Sequence, residues 1–126
     1  MKNKALPERQ LQVMQVLWGS SKAMTAMEIV AASGLNINTV QASLRSLTKK
    51  EYIEQGEIVY SGTVLARTYF PVVSMEEYLK MACEELLKAD PRYLIATVMQ
   101  TASIEVLEEL EQMIKQRRKE LEESDT

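Results

Sequence analysis

The sequence predicts a mainly α-helical chain that contains one small β-hairpin. Apolar residues recur every three or four positions in the segments before residue 51 and after residue 74, as they do on one face of a helix. Between these segments, residues 52–73 are rich in Val, Ile, Thr, Tyr and Phe, which favour strands. Capping signals divide the helical segments. We therefore expect three helices, a hairpin and three further helices.

The first two helices are predicted from their apolar spacing and their N-terminal signals. Pro7 suits the first position of a helix over 7–18, because its missing N–H is not needed there. The apolar residues of this helix include Leu11, Met14, Leu17 and Trp18. Thr25 stands three residues before Glu28, a capping box that opens a helix over 26–33.

The third helix has one apolar and one polar face. It begins near Asn36 or Asn38, either of which can cap it. Its buried stripe is predicted to be Ile37, Val40, Leu44 and Leu47. The other face is polar and cationic, with no acid before Glu51. It comprises Asn38, Thr39, Gln41, Ala42, Arg45, Ser46, Lys49 and Lys50.

The hairpin follows directly. Residues 52–60 and 63–73 have the composition of strands, and Ser61 with Gly62 is expected to form the two-residue turn between them. Pro71 has no backbone N–H to donate, which predicts that the second strand lies at an edge of the sheet.

Three capping signals predict the remaining helices. Each places a hydroxyl or carboxylate side chain where it can accept a hydrogen bond from the first turn. They are Ser74 with Glu77 for a helix to Ala89, Asp90 with Pro91 for a helix to Gln100, and Ser103 for a helix over 104–123.

The apolar stripes of these last helices suit a second subunit. The final helix carries acidic residues early and basic residues late, so an antiparallel partner would place acid beside base. The alternative is that this helix covers the core of its own domain. The residues expected at the dimer interface are Leu79, Leu86, Leu94, Val98, Leu107, Leu110 and Ile114.

Charge also divides the chain into two segments. Residues 1–73 hold eight basic and five acidic side chains, a net charge of +3. Residues 74–126 hold seven basic and thirteen acidic side chains, a net charge of −6. Because such asymmetry indicates two tasks in one chain, we expect a DNA-binding domain over 1–73 and a helical dimerisation domain over 74–126.

Composition disfavours several function classes. The chain has no histidine and no glycine-rich phosphate loop, so it lacks the commonest general base and transition-metal ligand. Cys83 is its one cysteine, which excludes a disulfide framework and fits the cytoplasm. No stretch is apolar enough to span a membrane, and the first residues lack the apolar core of a signal peptide. We expect no enzyme, no metal or other cofactor and no membrane insertion.

Three helices and a hairpin, with a polar and cationic third helix, are typical of a winged helix-turn-helix that binds DNA. The third helix would enter the major groove, where Asn and Gln suit adenine and Arg suits guanine. The expected base contacts are Asn38, Thr39, Gln41, Ala42 and Arg45. The expected phosphate contacts, which position the protein, are Ser46, Lys49, Lys50 and Arg67.

Some residues of the helix have a second interpretation. Asn38 and Thr39 can serve only as helix caps. Lys49 and Lys50 can form only a solvated helix end, where cations interact favourably with the helix dipole.

The hairpin and the whole fold also leave alternatives open. Arg67 can pair with Glu57 across the hairpin. Val64 and Leu65 lie near the tip of the hairpin and can contact either DNA or another subunit. A winged helix that binds another protein, and never DNA, is the alternative function.

Three stretches resemble the penicillinase repressor family, which includes β-lactamase, methicillin-resistance and copper-responsive repressors. They are LPERQLQVMQVLW (6–18), NTVQASLRSLTKK (38–50) and YFPVVSMEEY (69–78). The last is the most telling, because tyrosine, proline and then V-S-x-E-E-Y mark the exit from the wing into the dimerisation helix in that family. The resemblance implies a homodimeric winged-helix repressor that binds a palindromic DNA operator.

The chain departs from the family pattern at several positions. It has Ala42 where threonine is usual, Ser46 where arginine is usual and Glu51 where glycine is usual, so we expect a different operator sequence. Cys83 stands alone, whereas copper-responsive members carry a cysteine-rich metal hook. The β-lactam branch implies an upstream sensor in the membrane that leads to proteolysis of the repressor.

Overall fold

The computed structural model describes residues 5–125. Within that range, helices precede and follow a small antiparallel sheet, which confirms the predicted fold class. The elements are α1 (Glu8–Trp18), β1 (Met24–Thr25), α2 (Ala26–Ser33), α3 (Ile37–Lys49), β2 (Ile53–Ser61), β3 (Val64–Pro71), α4 (Met75–Ala82), α5 (Glu84–Ala89), α6 (Pro91–Thr101) and α7 (Ile104–Ser124).

The sheet has the strand order β1-β3-β2. Gly62 and Thr63 form the turn between β2 and β3, one residue later than predicted, and Gly62 has a φ of 67°, as the first central residue of a type II′ turn does. Because β1 pairs with Thr68 and Tyr69, β3 is the central strand, and the prediction that Pro71 marks a sheet edge is wrong. Pro71 is tolerated in this strand because β1 does not extend to it, so β1 needs no N–H donor at that position.

A bulge bends β2 near the base of the hairpin. Gly56 and Glu57 together stand opposite the single residue Thr68. A Cβ atom at position 56 would lie 2.7 Å from the Thr68 Oγ1, so only glycine fits without displacing a neighbour. The same Oγ1 donates a hydrogen bond of 2.6 Å to the carbonyl of Glu57, which fixes the bulge.

The core lies among the first three helices, the start of β2 and α4. The predicted apolar stripes of α1 and α3 supply most of it. Its buried apolar residues are Leu6, Val13, Met14, Leu17, Ile29, Val40, Leu44, Leu47, Ile53 and Tyr78.

Tyr78 attaches α4 to this core. Its hydroxyl accepts a hydrogen bond of 2.8 Å from the backbone N–H of Leu6. Its ring centroid lies 5.7 Å from that of Trp18 and 6.3 Å from that of Tyr52. Trp18 also donates its Nε1–H to the carbonyl of Val73 at 2.9 Å, so the chain is held against α1 where it leaves the hairpin.

The chain divides into two compact units, the first ending at Cys83 and the second beginning at Glu84. The helix expected to run to Ala89 is interrupted there, because Cys83 ends α4 with a φ of −106° and α5 begins at the next residue. α4 lies in the first unit, beyond the boundary expected after residue 73, since Tyr78 belongs to the first core. The separate tasks of the two segments stay predictions.

None of the described residues of the second unit is buried. α6 and α7 begin where the capping signals predict, whereas no such signal predicts the start of α5. The Asp90 carboxylate accepts a hydrogen bond of 3.0 Å from the backbone N–H of Arg92, and the Ser103 hydroxyl accepts one of 3.3 Å from that of Val106. The helices are thus well defined locally, while their apolar side chains lie at or near the surface.

Candidate nucleic-acid interface

α2, a three-residue turn and α3 form a helix-turn-helix whose ends are fixed by side chains. The Thr25 hydroxyl accepts a hydrogen bond of 3.2 Å from the backbone N–H of Glu28, and the Glu28 carboxylate accepts one of 2.9 Å from the backbone N–H of Thr25. These two bonds form the predicted capping box. Gly34 ends α2 in the left-handed conformation, with a φ of 76°. Asn36 begins α3, because its Oδ1 accepts the backbone N–H of Thr39 at 2.8 Å.

Asn38 is not the cap of α3, so the interpretation of Asn38 as a cap is wrong. It occupies the second position of the helix, and its side chain is exposed. Thr39 takes part in the cap through its backbone N–H alone. Both side chains are therefore available for other contacts.

The exposed stripe of α3 lies opposite the core. Val40, Leu44 and Leu47 are buried on one face. Since each residue turns the helix by about 100°, five exposed residues fall within an arc of about 100° on the other face. They are Asn38, Gln41, Ala42, Arg45 and Lys49. Thr39 and Ser46 are half-buried and lie on one flank of this stripe.

The two lysines at the end of α3 have different positions. Lys49 is exposed and continues the stripe. Lys50 is also exposed, but its Nζ donates a hydrogen bond of 2.7 Å to the Oε1 of Gln10 on α1. The ammonium group of Lys50 thus lies towards α1, away from the exposed stripe.

Arg67 lies on the hairpin, away from the tip. Its Nη1 donates a hydrogen bond of 3.2 Å to the carbonyl of Gly56. Among residues 5–125, no ion pair joins Arg67 to Glu57, so the predicted alternative of a cross-strand pair is wrong. The bulge explains this outcome, because Arg67 stands opposite Ile58 and not opposite Glu57.

Gln55 is a candidate contact that the sequence did not indicate. It is exposed and lies at the base of the hairpin, where it lines a shallow depression together with Arg45, Lys49 and Tyr69. A single glutamine in a strand gives no signal in the sequence. Only the packing of the hairpin against α3 brings it beside two of the predicted contacts.

The residues predicted for dimerisation occur in both units. Leu79 is exposed on α4 of the first unit. In the second unit, α5 and α6 contact each other, and Leu86 and Leu94 line a common groove between them. Val98 and Ile114 are exposed, and Leu107 and Leu110 are half-buried.

Two further properties concern the described residues as a whole. Between residues 5 and 125, no three His, Cys, Asp or Glu side chains are grouped so that they could hold a metal ion. None of the helices described combines the length and the apolar character needed to cross a membrane.

Comparison with solved structures places the fold among winged-helix regulators. A mutant of the Staphylococcus aureus regulator MepR, bound to an oligodeoxyribonucleotide, is 16% identical over 92% of this chain and 80% of its own, with a TM-score of 0.53. A possible transcriptional regulator from Methanosarcina mazei Go1 is 16% identical over 80% of this chain and 83% of its own, with a TM-score of 0.51. At such identity the likeness concerns the fold alone.

Sequence comparison gives the family. No curated protein matches the chain closely. The family model described as penicillinase repressor matches residues 6–116, which is most of the chain. The match extends beyond the stretches quoted above into α7. The protein therefore belongs to the penicillinase repressor family of winged-helix transcriptional regulators.

Proposed function

We propose that the protein is a homodimeric repressor that occupies a palindromic DNA operator in the cytoplasm, acting by binding and not by catalysis. The observation that carries this proposal is the exposed stripe of α3. It lies opposite the core on a helix whose start is fixed by Asn36, and it contains amide and guanidinium groups and no acid. A rigid helix with such a face has the shape and the hydrogen-bonding groups that the major groove requires.

The stripe supplies the base contacts. Asn38 and Gln41 can each form paired hydrogen bonds with adenine, and Arg45 can do so with guanine. Ala42 can contact the methyl group of thymine. Thr39, which lies on the flank, would contact a base at the edge of the groove.

The phosphate contacts lie around the stripe. Lys49 continues it, and Ser46 lies on its flank. To contact a phosphate, Lys50 would have to give up its hydrogen bond to Gln10. Arg67 would have to give up its hydrogen bond to the Gly56 carbonyl. We therefore expect Lys49→Ala to weaken DNA binding more than Lys50→Ala, and both to weaken it for all sequences alike.

Dimerisation is supported by the second unit, which has no buried residue of its own among those described. Apolar side chains exposed to this extent indicate a surface for another chain. The stripe on α7 runs through Leu107, Leu110 and Ile114, and Glu105 lies in its first turn. Two copies related by a two-fold axis would place two α3 helices on successive half-sites of DNA.

Family membership adds an expectation about regulation. Repressors of the β-lactam branch respond to an upstream sensor, which leads to proteolysis of their C-terminal lobe. We expect a sensor or protease of this kind to act on this protein as well.

A mobility-shift experiment on DNA from upstream of the protein's own gene tests the proposal. A dimer with roughly 6–10 phosphate contacts should lose about 10³–10⁵ in affinity between about 50 and 200 mM salt. Arg45→Ala should relax base preference, by about 1–3 kcal/mol for each bidentate contact that is lost. Arg117→Ala, which removes the same charge from α7, is the control and should leave base preference unchanged.

Two results would contradict the proposal. One is the absence of any DNA complex at low salt. The other is an Arg45→Ala protein with the affinity and base preference of the native chain, which would favour a winged helix that binds another protein.

A further inference from the structure

The outer part of the hairpin, residues 58–66, carries apolar side chains on both of its faces. Tyr60 is paired with Leu65, and Val59 is paired with Ala66, so successive residues place apolar side chains on alternate faces. The exposed fractions are large, at 74% for Tyr60, 60% for Leu65 and 52% for Ile58. Apolar groups exposed together in this way indicate a contact surface.

Within the described residues 5–125, no strand pairs with the outer edge of the hairpin. The strand order β1-β3-β2 makes β2 a terminal strand, so every second residue of β2 directs its N–H and C=O away from the sheet. In a hairpin closed by two residues, the flanking residues form a hydrogen-bonded pair, here Ser61 and Val64. The outward-directed backbone groups of β2 near the tip are therefore those of Tyr60 and Ile58.

The outer end of the hairpin lacks the positive charge that a contact with DNA phosphates requires. Residues 53–71 contain two acids, Glu54 and Glu57, and one base, Arg67. The guanidinium of that base is bonded to the Gly56 carbonyl. Phosphate contacts require cations, and residues 58–66 at the outer end of the hairpin contain none, so this end is better suited to protein, whereas Arg67 lies closer to the base.

We propose that β2 pairs in antiparallel fashion with β2 of a second copy of this chain, about a two-fold axis at Val59. In this register Ile58 of each copy lies opposite Tyr60 of the other, and the outward backbone groups of both residues meet. Such aromatic and β-branched pairs stabilise adjacent strands. Glu57 lies opposite the hydroxyl of Ser61 and not opposite another acid. The edge is thus complementary to itself, as a two-fold contact requires.

The size of this contact determines where it forms. A few side chains on each copy bury roughly a few hundred Å², whereas stable interfaces bury about 1,200 Å² or more. The pairing therefore needs copies that are already close together, at effective concentrations of about 1 mM. Repressors bound side by side on DNA meet this condition. The inference goes beyond the proposed function, because it requires two neighbouring copies and no particular DNA sequence.

Disulfide trapping of the full chain tests the pairing. Directly opposite residues of a non-hydrogen-bonded antiparallel pair have Cα atoms about 4.5 Å apart, which a disulfide can span. With Cys83→Ser as background, Val59→Cys should cross-link to its own copy under mild oxidation, on DNA and at about 1 mM protein without DNA. Leu65→Cys, which is exposed on β3 one residue nearer the turn, should cross-link about tenfold more slowly, a difference of about 1.4 kcal/mol.

A second substitution and a parallel binding assay make the outcome decisive. Adding Ile58→Lys to the Val59→Cys chain should slow cross-linking about tenfold, because charge at an edge opposes strand pairing. Equal rates at positions 59 and 65, no cross-link at 59, or no effect of the lysine would overturn the pairing. A chain that cross-links but forms no DNA complex would contradict only the proposed function, and one that binds DNA without cross-linking would contradict only the pairing.

Discussion

Glu51 is the residue in the described chain, other than glycine, that has a positive φ, at 65°. It follows α3 in a Schellman motif, in which its N–H donates to the carbonyl of Thr48 at 3.1 Å and the N–H of Tyr52 donates to that of Leu47 at 3.0 Å. Glycine is usual at this position because a Cβ atom raises the energy of the left-handed conformation. The motif directs the chain from α3 into β2 despite that cost.

We expect Glu51→Gly to raise the free energy of unfolding by about 1 kcal/mol, because it relieves this backbone strain. Urea denaturation of the full chain measures the change. Glu54→Gly is the control: it removes the same charge from an exposed position in β2 without a positive φ, and should be neutral or destabilising. A Glu51→Gly protein that is no more stable than the native chain would contradict the strain argument.

At the scale of elements, the hairpin depends on the bulge at Gly56. A Cβ atom there would come 2.7 Å from the Thr68 Oγ1, which already donates to the Glu57 carbonyl. Gly56→Ala should therefore lower the free energy of unfolding by about 1–3 kcal/mol, as overpacking does. Gly19→Ala is the matched control, because its Cβ would meet its nearest neighbour at an ordinary 3.4 Å. Equal thermal stability of the two variants would contradict the role of the bulge.

The capping box of α2 should make stability depend on pH. The backbone N–H of Thr25 is the main cause of the lowered pKa of Glu28, aided by the Thr25 hydroxyl and Lys22 and opposed by burial. Because the folded pKa is lower than the ordinary 4.5, ionised Glu28 stabilises the fold above that pH and the contribution disappears as pH falls below it. The stability difference between the native chain and Glu28→Gln should shrink in acid.

Chemical denaturation at a series of pH values between about 7 and 3 measures this difference. In a Thr25→Ala background, which removes the hydroxyl of the box, the pH-dependent part should be smaller. A difference that grows as pH falls would have the wrong sign for the capping box.

The elements with side-chain signals were the ones that could be predicted. Thr25, Asn36 and Ser74 act as caps close to where the sequence places them, because a cap is a local arrangement of a few residues. β1 gives no signal in the sequence, since two residues are too few to show a period of two. The positions of Gln55 and Lys50 could not be predicted either, because each depends on contacts with a distant segment.

At the scale of the whole molecule, the two units differ in how they are stabilised. The first encloses a core to which Tyr78 attaches α4, whereas no described residue of the second unit is buried. Residues 1–73, which carry the surplus of positive charge, contain the exposed stripe of α3. Residues 74–126, which carry the surplus of negative charge, contain the helices whose apolar side chains are exposed. The net charge of −3 conceals this difference in charge between the two segments.

The proposed dimer predicts that Ile114→Asp converts the protein to monomers. Ile114 is 57% exposed on α7, and a buried, unpaired carboxylate at an interface costs about 2 kcal/mol or more, a change of about 30-fold or more in the dissociation constant. Gln112→Asp adds the same charge on the opposite side of α7 and should leave the dimer intact. Sedimentation velocity distinguishes the two, and a dimeric Ile114→Asp protein would contradict the proposed interface.

Selection of bound sites from random duplex DNA with this chain determines whether two copies of the α3 stripe bind DNA together. We expect an inverted repeat whose half-sites lie about 10–10.5 base pairs apart, or a multiple of that, with base preferences that Arg45→Ala relaxes and Arg117→Ala does not. Enrichment of a single asymmetric site, or of no sequence at all, would contradict it.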